Sequence, residues 1–418
     1  MLENLSLPSL ANLRLILELG LLISLLTLWQ KTGAALAFAN SLIDRWHLDQ
    51  TGLKKLTWGM GLFFCQSGTF SAIVVGSSLR PIKDRLRLAA PVYAFLLDAM
   101  ASPVASILML NAWPAFLLGV LQDPRLADLP PELRSGQLIW QSLPLSFYSI
   151  GMIVLAWALA WNWLPRLEKH LSRSRQDDTY VQTSHTDPTM DDEEKTFSTN
   201  AQAKDFLYPW ICMLMTIILS FLVFEEAHLW LGFSLATLLS LAMARHRGQP
   251  WRVLFAALLV GLKKTLIVTI IFIGVFFTWL LTPFLPALQE SMQTFVSNLS
   301  PILVPLFLQI IAMTIAFCIG TSWGTFFLFI PSGLALAWYV ASEQNLEHAA
   351  WFLTICFAAM KDGAVFGDQS SPLSDTTIAA ALTSGCPLAL HVRRQLPLTL
   401  SMSAIAAASW TSICVFLT

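Results

Sequence analysis

An all-α polytopic membrane protein, built from two related halves with broken or re-entrant helices, is the fold class this sequence predicts. Three observations carry the prediction. Of the 418 residues, 56% are hydrophobic and only 12% charged, with a mean hydropathy of +0.63, whereas a soluble chain carries roughly 25% charged residues. Apolar runs approaching the roughly 20 residues needed to cross about 30 Å of hydrocarbon recur along the chain. Among them lies Asp362 to Thr377, DGAVFGDQSSPLSDTT, with three carboxylates, three serines and two threonines. A charge at bilayer depth costs at least about 2.5 to 3.5 kcal/mol, so such a cluster lines a water-filled path or binds an ion.

Taken in order, the runs are Leu13 to Trp29, Leu56 to Leu79, Leu138 to Trp163, Phe206 to Phe224, Thr265 to Phe284, Ile302 to Ile319, Phe326 to Val340, Trp351 to Phe366 and Leu396 to Leu417. Val92 to Leu121 and Leu229 to Met243 are also apolar, so the length rule predicts about ten or eleven membrane segments. No small-residue cleavage site follows the first run, which reads as a retained helix.

Residues 166–205 are rich in Ser, Thr, Asp and Glu and include the acidic stretch Asp191 to Lys195. Such a composition buries too little apolar surface to fold. The expected organisation is therefore an N-terminal membrane repeat over 1–165, a flexible polar linker over 166–205 and a C-terminal membrane region over 206–418. Basic clusters at Arg166, Lys169, Arg173 and Arg175, and at Arg245, His246, Arg247 and Arg252, place both flanks on the cytoplasmic side. Glu225 and Glu226 then face out. Arg80, Lys83, Arg85 and Arg87 suggest another cytoplasmic loop, or for Arg80 a place in a site.

The two halves repeat a pattern. Trp29, FFCQSGTF around Gly68 and LLDAMASPVASI with Asp98, Ser102, Pro103 and Ser106 are echoed by Trp279, AFCIGTSWGTF around Gly320 and FGDQSSPLSDTT with Asp368, Ser371, Pro372 and Ser374. Gly/Pro-interrupted polar segments in corresponding places of two halves point to a transport site near the midplane. Proline lacks an amide hydrogen and disfavours helical geometry before it, which frees backbone groups around Pro103 and Pro372. Hydroxyls both donate and accept, and a buried carboxylate lets a proton and a cation compete for one group. The chain thus reads as a secondary transporter in which Asp98, Asp368 and Asp375 bind Na⁺ or H⁺.

GTSWGTF at Gly320 to Phe326, DGAVFGDQSSPLSDTTI at Asp362 to Ile378 and HVRRQLP at His391 to Pro397 resemble signature stretches of the NhaC-type Na⁺/H⁺ antiporter family. Leu56 to Gly119 resembles that family's N-terminal counterparts. The resemblance implies a secondary transporter of the ion transporter superfamily, with inverted repeats, re-entrant hairpins, often a homodimer, and exchange of Na⁺ for H⁺. Three departures stand out: Cys65, Gln66, Ser67 and Gly68 where relatives carry acids, Asn111 and Ala112 before Trp113 where they carry hydroxyls, and CPLALHV after Gly385. A weakened first-half cation site follows, and transport is better supported than pure Na⁺/H⁺ exchange.

The candidate ion- or substrate-binding residues are Asp98, Ser102, Ser106, Asn111, Thr321, Ser322, Asp368, Ser371, Ser374, Asp375, Thr376 and Thr377, with Asp368 and Asp375 as Na⁺ ligands. Competing readings are helix-capping turns at the acidic and serine positions and close helix approach at Thr321 and Ser322. Asp362 beside Lys361 reads as a local ion pair or interfacial residue, and His391, Arg393 and Arg394 as an interfacial anchor. Expected partners are the lipid bilayer, Na⁺ and H⁺, with a small carboxylate or amino acid as alternative cargo and the bacterial inner membrane as location. A passive pore is the reading from another class. No cofactor is expected, net charge of −1 with no basic tract speaks against nucleic acid, and the six scattered cysteines read as packing. Phosphate-loop, zinc-protease and nucleophile-elbow motifs are missing, so neither an ATP-driven pump nor an enzyme is expected.

Overall fold

A computed structural model describes residues 10–44, 48–65, 67–108, 111, 113–172, 200–224, 228–263 and 300–417. The run Thr265 to Phe284 with Trp279, most of the polar linker, and Gln66, Ala112, Glu225 and Glu226 lie outside the described residues. Among the described residues every regular element is a helix. Six helices are long and apolar enough to cross a bilayer, or seven if Gly136–Leu145 and Phe147–Ala160, bent by 46°, form one span. The bend falls at Ser146 just after Pro144, where the last turn tightens to a 3₁₀ helix over Leu143–Leu145 and proline supplies no amide hydrogen.

The chain divides into two compact units, one comprising Met1–Asp49, Ser77–Pro81 and Ser174–Ile271, the other the remainder. These units do not follow the expected split at the linker, because helices from both sides of it share the core of the larger unit. The linker boundary also moves. Residues 166–172 belong to a helix, Pro165–Ser172, with Leu171 buried and Glu168 paired to Lys54 at 2.8 Å, so packing holds a stretch whose composition alone reads as unfolded.

The smaller unit contains Leu10–Thr32, Ala34–Asp44, Lys204–Phe224, Leu229–His246 and a helix over 251–263. Trp29 anchors it: its ring lies 4.5 Å from that of Phe206 and its indole N–H donates to Ser240 Oγ at 2.9 Å. Leu28, Ala244, Leu254 and Ala257 pack alongside. Ile211, Met215, Ile218 and Leu222 form an exposed stripe at helical spacing, as a lipid-facing side requires.

The larger unit is organised around Ala349–Ser370, a helix buried without interruption from Phe352 to Ser370. Gly363 and Gly367, four residues apart, open one face of it to Val304–Ile319. A β-carbon at Gly363 would lie 2.7 Å from the Gln309 carbonyl oxygen and one at Gly367 2.5 Å from the Phe317 nitrogen. Small residues at this spacing let membrane helices approach closely. Four helix interruptions surround this core. They separate Gln50–Phe63 from Gly68–Arg85, Ala90–Ala99 from Ser102–Ile107, Val304–Ile319 from Ser322–Glu343, and Ala349–Ser370 from Asp375–Ser384.

Candidate ion-binding site

Each interruption has a local cause. Ser67 caps the helix that starts at Gly68, its Oγ accepting from the Phe70 N–H. Pro103 sits in the first turn of Ser102–Ile107. Gly320 ends its helix in the left-handed conformation, φ +71°, which only glycine adopts without penalty. Pro372 lies between Ser371 and Ser374, and the Ser374 Oγ accepts from the Thr376 N–H to start the next helix.

The breaks meet at Asp368. Its Oδ2 accepts from Ser102 Oγ at 2.6 Å and Ser322 Oγ at 3.0 Å, and its Oδ1 from Ser374 Oγ at 2.8 Å. Thr376 Oγ1 is 3.0 Å from Ser374 Oγ, and Thr377 Oγ1 donates to the backbone oxygens of Asp368 and Gln369 at 3.1 Å. A β-carbon on Gly68 would lie 3.1 Å from the Ser102 nitrogen and 3.0 Å from Thr376 Cγ2, so the fourth break closes on the same place. Asp368 is 4% exposed. Asp375 lies at the accessible edge, its Oδ2 accepting from Thr69 Oγ1 at 2.6 Å. Bonds to a charged acceptor contribute about 1.5 to 3 kcal/mol each, enough for three hydroxyls to offset much of the cost of burying one carboxylate. The result is an oxygen-only ligand set with one buried charge, which suits a hard cation.

Not every predicted residue joins this cage. Ser371 Oγ donates to the Phe317 carbonyl at 2.7 Å, fixing the loop. Thr321 stands at the helix start in extended geometry, with no side-chain cap. Asn111 is a backbone staple, its amide donating to the carbonyls of Ala105 and Leu108 at 2.8 Å while its Oδ1 accepts from the Trp113 N–H at 2.8 Å. Ser106 belongs to a separate network, 2.8 Å from Ser149 Oγ.

Two readings are corrected. Asp362 is not interfacial: it is fully buried, and it caps Phe147–Ala160 from a neighbouring helix, accepting from the Tyr148 N–H at 2.8 Å and Ser149 Oγ at 2.7 Å. Lys361, equally buried, donates to the Ser106 carbonyl at 3.2 Å. Nor is His391 an interfacial anchor. Its Nε2 lies 3.0 Å from Asp98 Oδ2 with both side chains buried, and Gln395 Nε2 donates to the same oxygen at 2.7 Å. Asp98 therefore sits in a buried network of its own and not in a capped loop. The spacing of His391 and Gln395 holds the missed signal, since positions four apart share a helix face, while Arg393 between them is exposed.

The sequence profile of the "Na+/H+ antiporter family" matches residues 121–411. The chain belongs to the Na⁺/H⁺ antiporter family. It is also similar to an uncharacterized protein of Haemophilus influenzae, 25% identical over 91% of this chain and 74% of that protein. A malate-2H(+)/Na(+)-lactate antiporter of Bacillus subtilis is 27% identical over 204 residues, 48% of this chain and 41% of that protein. This antiporter-family chain is thus a secondary transporter and, with its array of apolar helices, an integral multi-pass membrane protein. The matched span includes Ser322, Asp368, Ser374 and His391, whereas Asp98 and Ser102 precede it.

Proposed function

We propose that this protein exchanges Na⁺ for H⁺ across a bacterial cell membrane by alternating access, with Asp368 as the ion-carrying carboxylate. The observation that carries this reading is the cage of Ser102, Ser322 and Ser374 around one buried carboxylate at four helix breaks. Oxygens of all four side chains can turn toward Na⁺ when it replaces a proton on Asp368, and Thr376 stands behind Ser374. Asp375 and Thr69 form the accessible edge through which the ion reaches Asp368. One charge is neutralised by either ion, so the site reorients only when occupied, which is a sufficient basis for obligatory exchange. The pairing of two breaks from each half of the chain agrees with a repeated architecture.

The test is the purified protein in liposomes that hold a pH-sensitive dye, challenged with Na⁺, Li⁺, K⁺ and a panel of carboxylates and amino acids. Proton movement on addition of Na⁺ alone is the expected result; a response that requires an organic solute would replace this reading with coupled solute transport. That second reading has its own support, because the Bacillus subtilis relative is named for malate and lactate. Ser102→Ala removes one of two donors to Asp368 Oδ2. It should raise the half-saturating Na⁺ concentration by at least about tenfold, the equivalent of about 1.5 kcal/mol for one hydrogen bond to a charged group. A saturation curve of exchange against Na⁺ measures it, and an unchanged value would remove Ser102 from the ligand set.

A further inference from the structure

One edge of the larger unit carries polar atoms that neither the Asp368 cage nor helix packing uses. The helix Pro165–Ser172, with sequence PRLEKHLS, lies against the helix Leu388–Leu417. Arg394 joins the two, its Nη1 donating to the His170 carbonyl at 3.3 Å. Arg394 Nε and His170 Nε2 are both buried with no hydrogen-bond partner. Buried polar groups are nearly always satisfied, and each exception calls for an explanation. Here the two exceptions belong to residues that touch. One of them is a guanidinium, a group that matches phosphate through parallel N–H bonds.

Charge and position narrow the ligand. Glu168, the carboxylate of Pro165–Ser172, is already paired with Lys54 at 2.8 Å. Arg166, Lys169 and Arg393 are exposed, and neither they nor Arg394 form an ion pair among the described residues. The patch is therefore short of negative charge. Immediately before it in the chain, Trp157 packs on Trp161 and Trp163 with ring centroids 5.6 and 4.4 Å apart, Trp58 meets Trp161 at 5.6 Å, and Trp163 is 64% exposed. Tryptophans gather at the headgroup level of a bilayer, and clustered basic residues mark the cytoplasmic side, whose anionic lipids attract them.

We infer that the junction of Pro165–Ser172 and Leu388–Leu417 binds an anionic phospholipid, whose phosphate accepts from Arg394 Nε and His170 Nε2. Arg166, Lys169 and Arg393 supply the surrounding positive charge, and His170 carries a hydrogen on Nε2, the arrangement that makes this atom a donor. Arg394 shares a helical turn with His391 and Gln395, which hold Asp98, so the headgroup steadies the turn that carries this buried network. The inference stands apart from the identity of the ion or solute exchanged.

The experiment is native mass spectrometry of the full-length protein, stripped of lipid in detergent and titrated with phosphatidylglycerol, phosphatidylcholine or inorganic phosphate. The native protein is expected to bind phosphatidylglycerol at least about tenfold more tightly than phosphatidylcholine. Arg394→Gln and His170→Ala are each expected to reduce that preference to less than about threefold, while Arg252→Gln, at a basic position of the smaller unit, keeps it. His170→Ala retains the backbone carbonyl that Arg394 uses, so it removes a ligand donor and leaves the contact between the helices in place. The inference is overturned if the native protein does not distinguish the two lipids, if either site variant retains the preference, if Arg252→Gln loses it equally, or if inorganic phosphate displaces phosphatidylglycerol at equal concentration. Binding that appears only after Asp191, Asp192, Glu193 and Glu194 are changed to Asn and Gln overturns it as well, because the chain's own acidic stretch is then the occupant.

Discussion

Asp368→Asn is expected to abolish Na⁺-dependent proton movement in proteoliposomes, to below about 1% of the native rate, while the protein still folds. The carboxylate is the buried charge that three hydroxyls converge on. Asparagine keeps its shape and one oxygen, so it can still accept from Ser102 and Ser322, and Ser374 can turn its hydroxyl to accept from the new amide. What it cannot do is carry a negative charge that a proton or Na⁺ alternately neutralises. The measurement pairs the dye assay with thermal unfolding of the purified protein: native-like unfolding with no exchange is the predicted outcome, and retained exchange would take Asp368 out of the mechanism. Asp375→Asn should be milder, a few-fold change in half-saturating Na⁺. Asp375 is accessible, and an exposed charge contributes about 1 kcal/mol or less.

Gly320→Ala is expected to lose both stability and transport. The position has φ +71°, and an alanine β-carbon would lie 2.7 Å from the Leu373 carbonyl carbon and 2.8 Å from its oxygen. Left-handed backbone costs a non-glycine residue about 1 to 2 kcal/mol, and forcing atoms into a packed interior adds about 1 to 3 kcal/mol. The displaced segment is the one between Ser371, bonded to Phe317, and Ser374, which donates to Asp368, so the strain falls on the cage itself. Gly59→Ala is the control: a β-carbon there meets nothing within 4 Å, and alanine favours a helix interior by roughly 0.5 to 1 kcal/mol. Unfolding midpoints should separate the two variants clearly; equal stability would mean that the close contact at Gly320 is relieved without cost.

The four motif stretches were legible in the sequence as interruptions because glycine, proline and hydroxyl residues broke otherwise apolar runs. Their convergence was not legible, since Ser102 and Asp368 are separated by 266 positions and meet only through packing of the helices that carry them. For the same reason Asn111 read as a candidate ligand, although its amide is spent on carbonyls that the neighbouring break leaves free. His391 illustrates the opposite error. Two arginines beside it suggested an interface, yet the helix turns His391 and Gln395 inward and leaves Arg393 outside.

Composition and periodicity by themselves determined that this chain is a helical membrane protein with polar breaks, because hydrophobic length and the cost of burying charge are local properties of a segment. Which carboxylate is caged, which caps a helix and which pairs with a histidine was decided by tertiary structure alone. Asp98, Asp362 and Asp368 are all buried aspartates. Their chemistry differs through the donors packed around them, nearly all from distant parts of the chain: a histidine and a glutamine for Asp98, a helix N-terminus for Asp362, and for Asp368 three serines of which Ser374 alone is near in sequence.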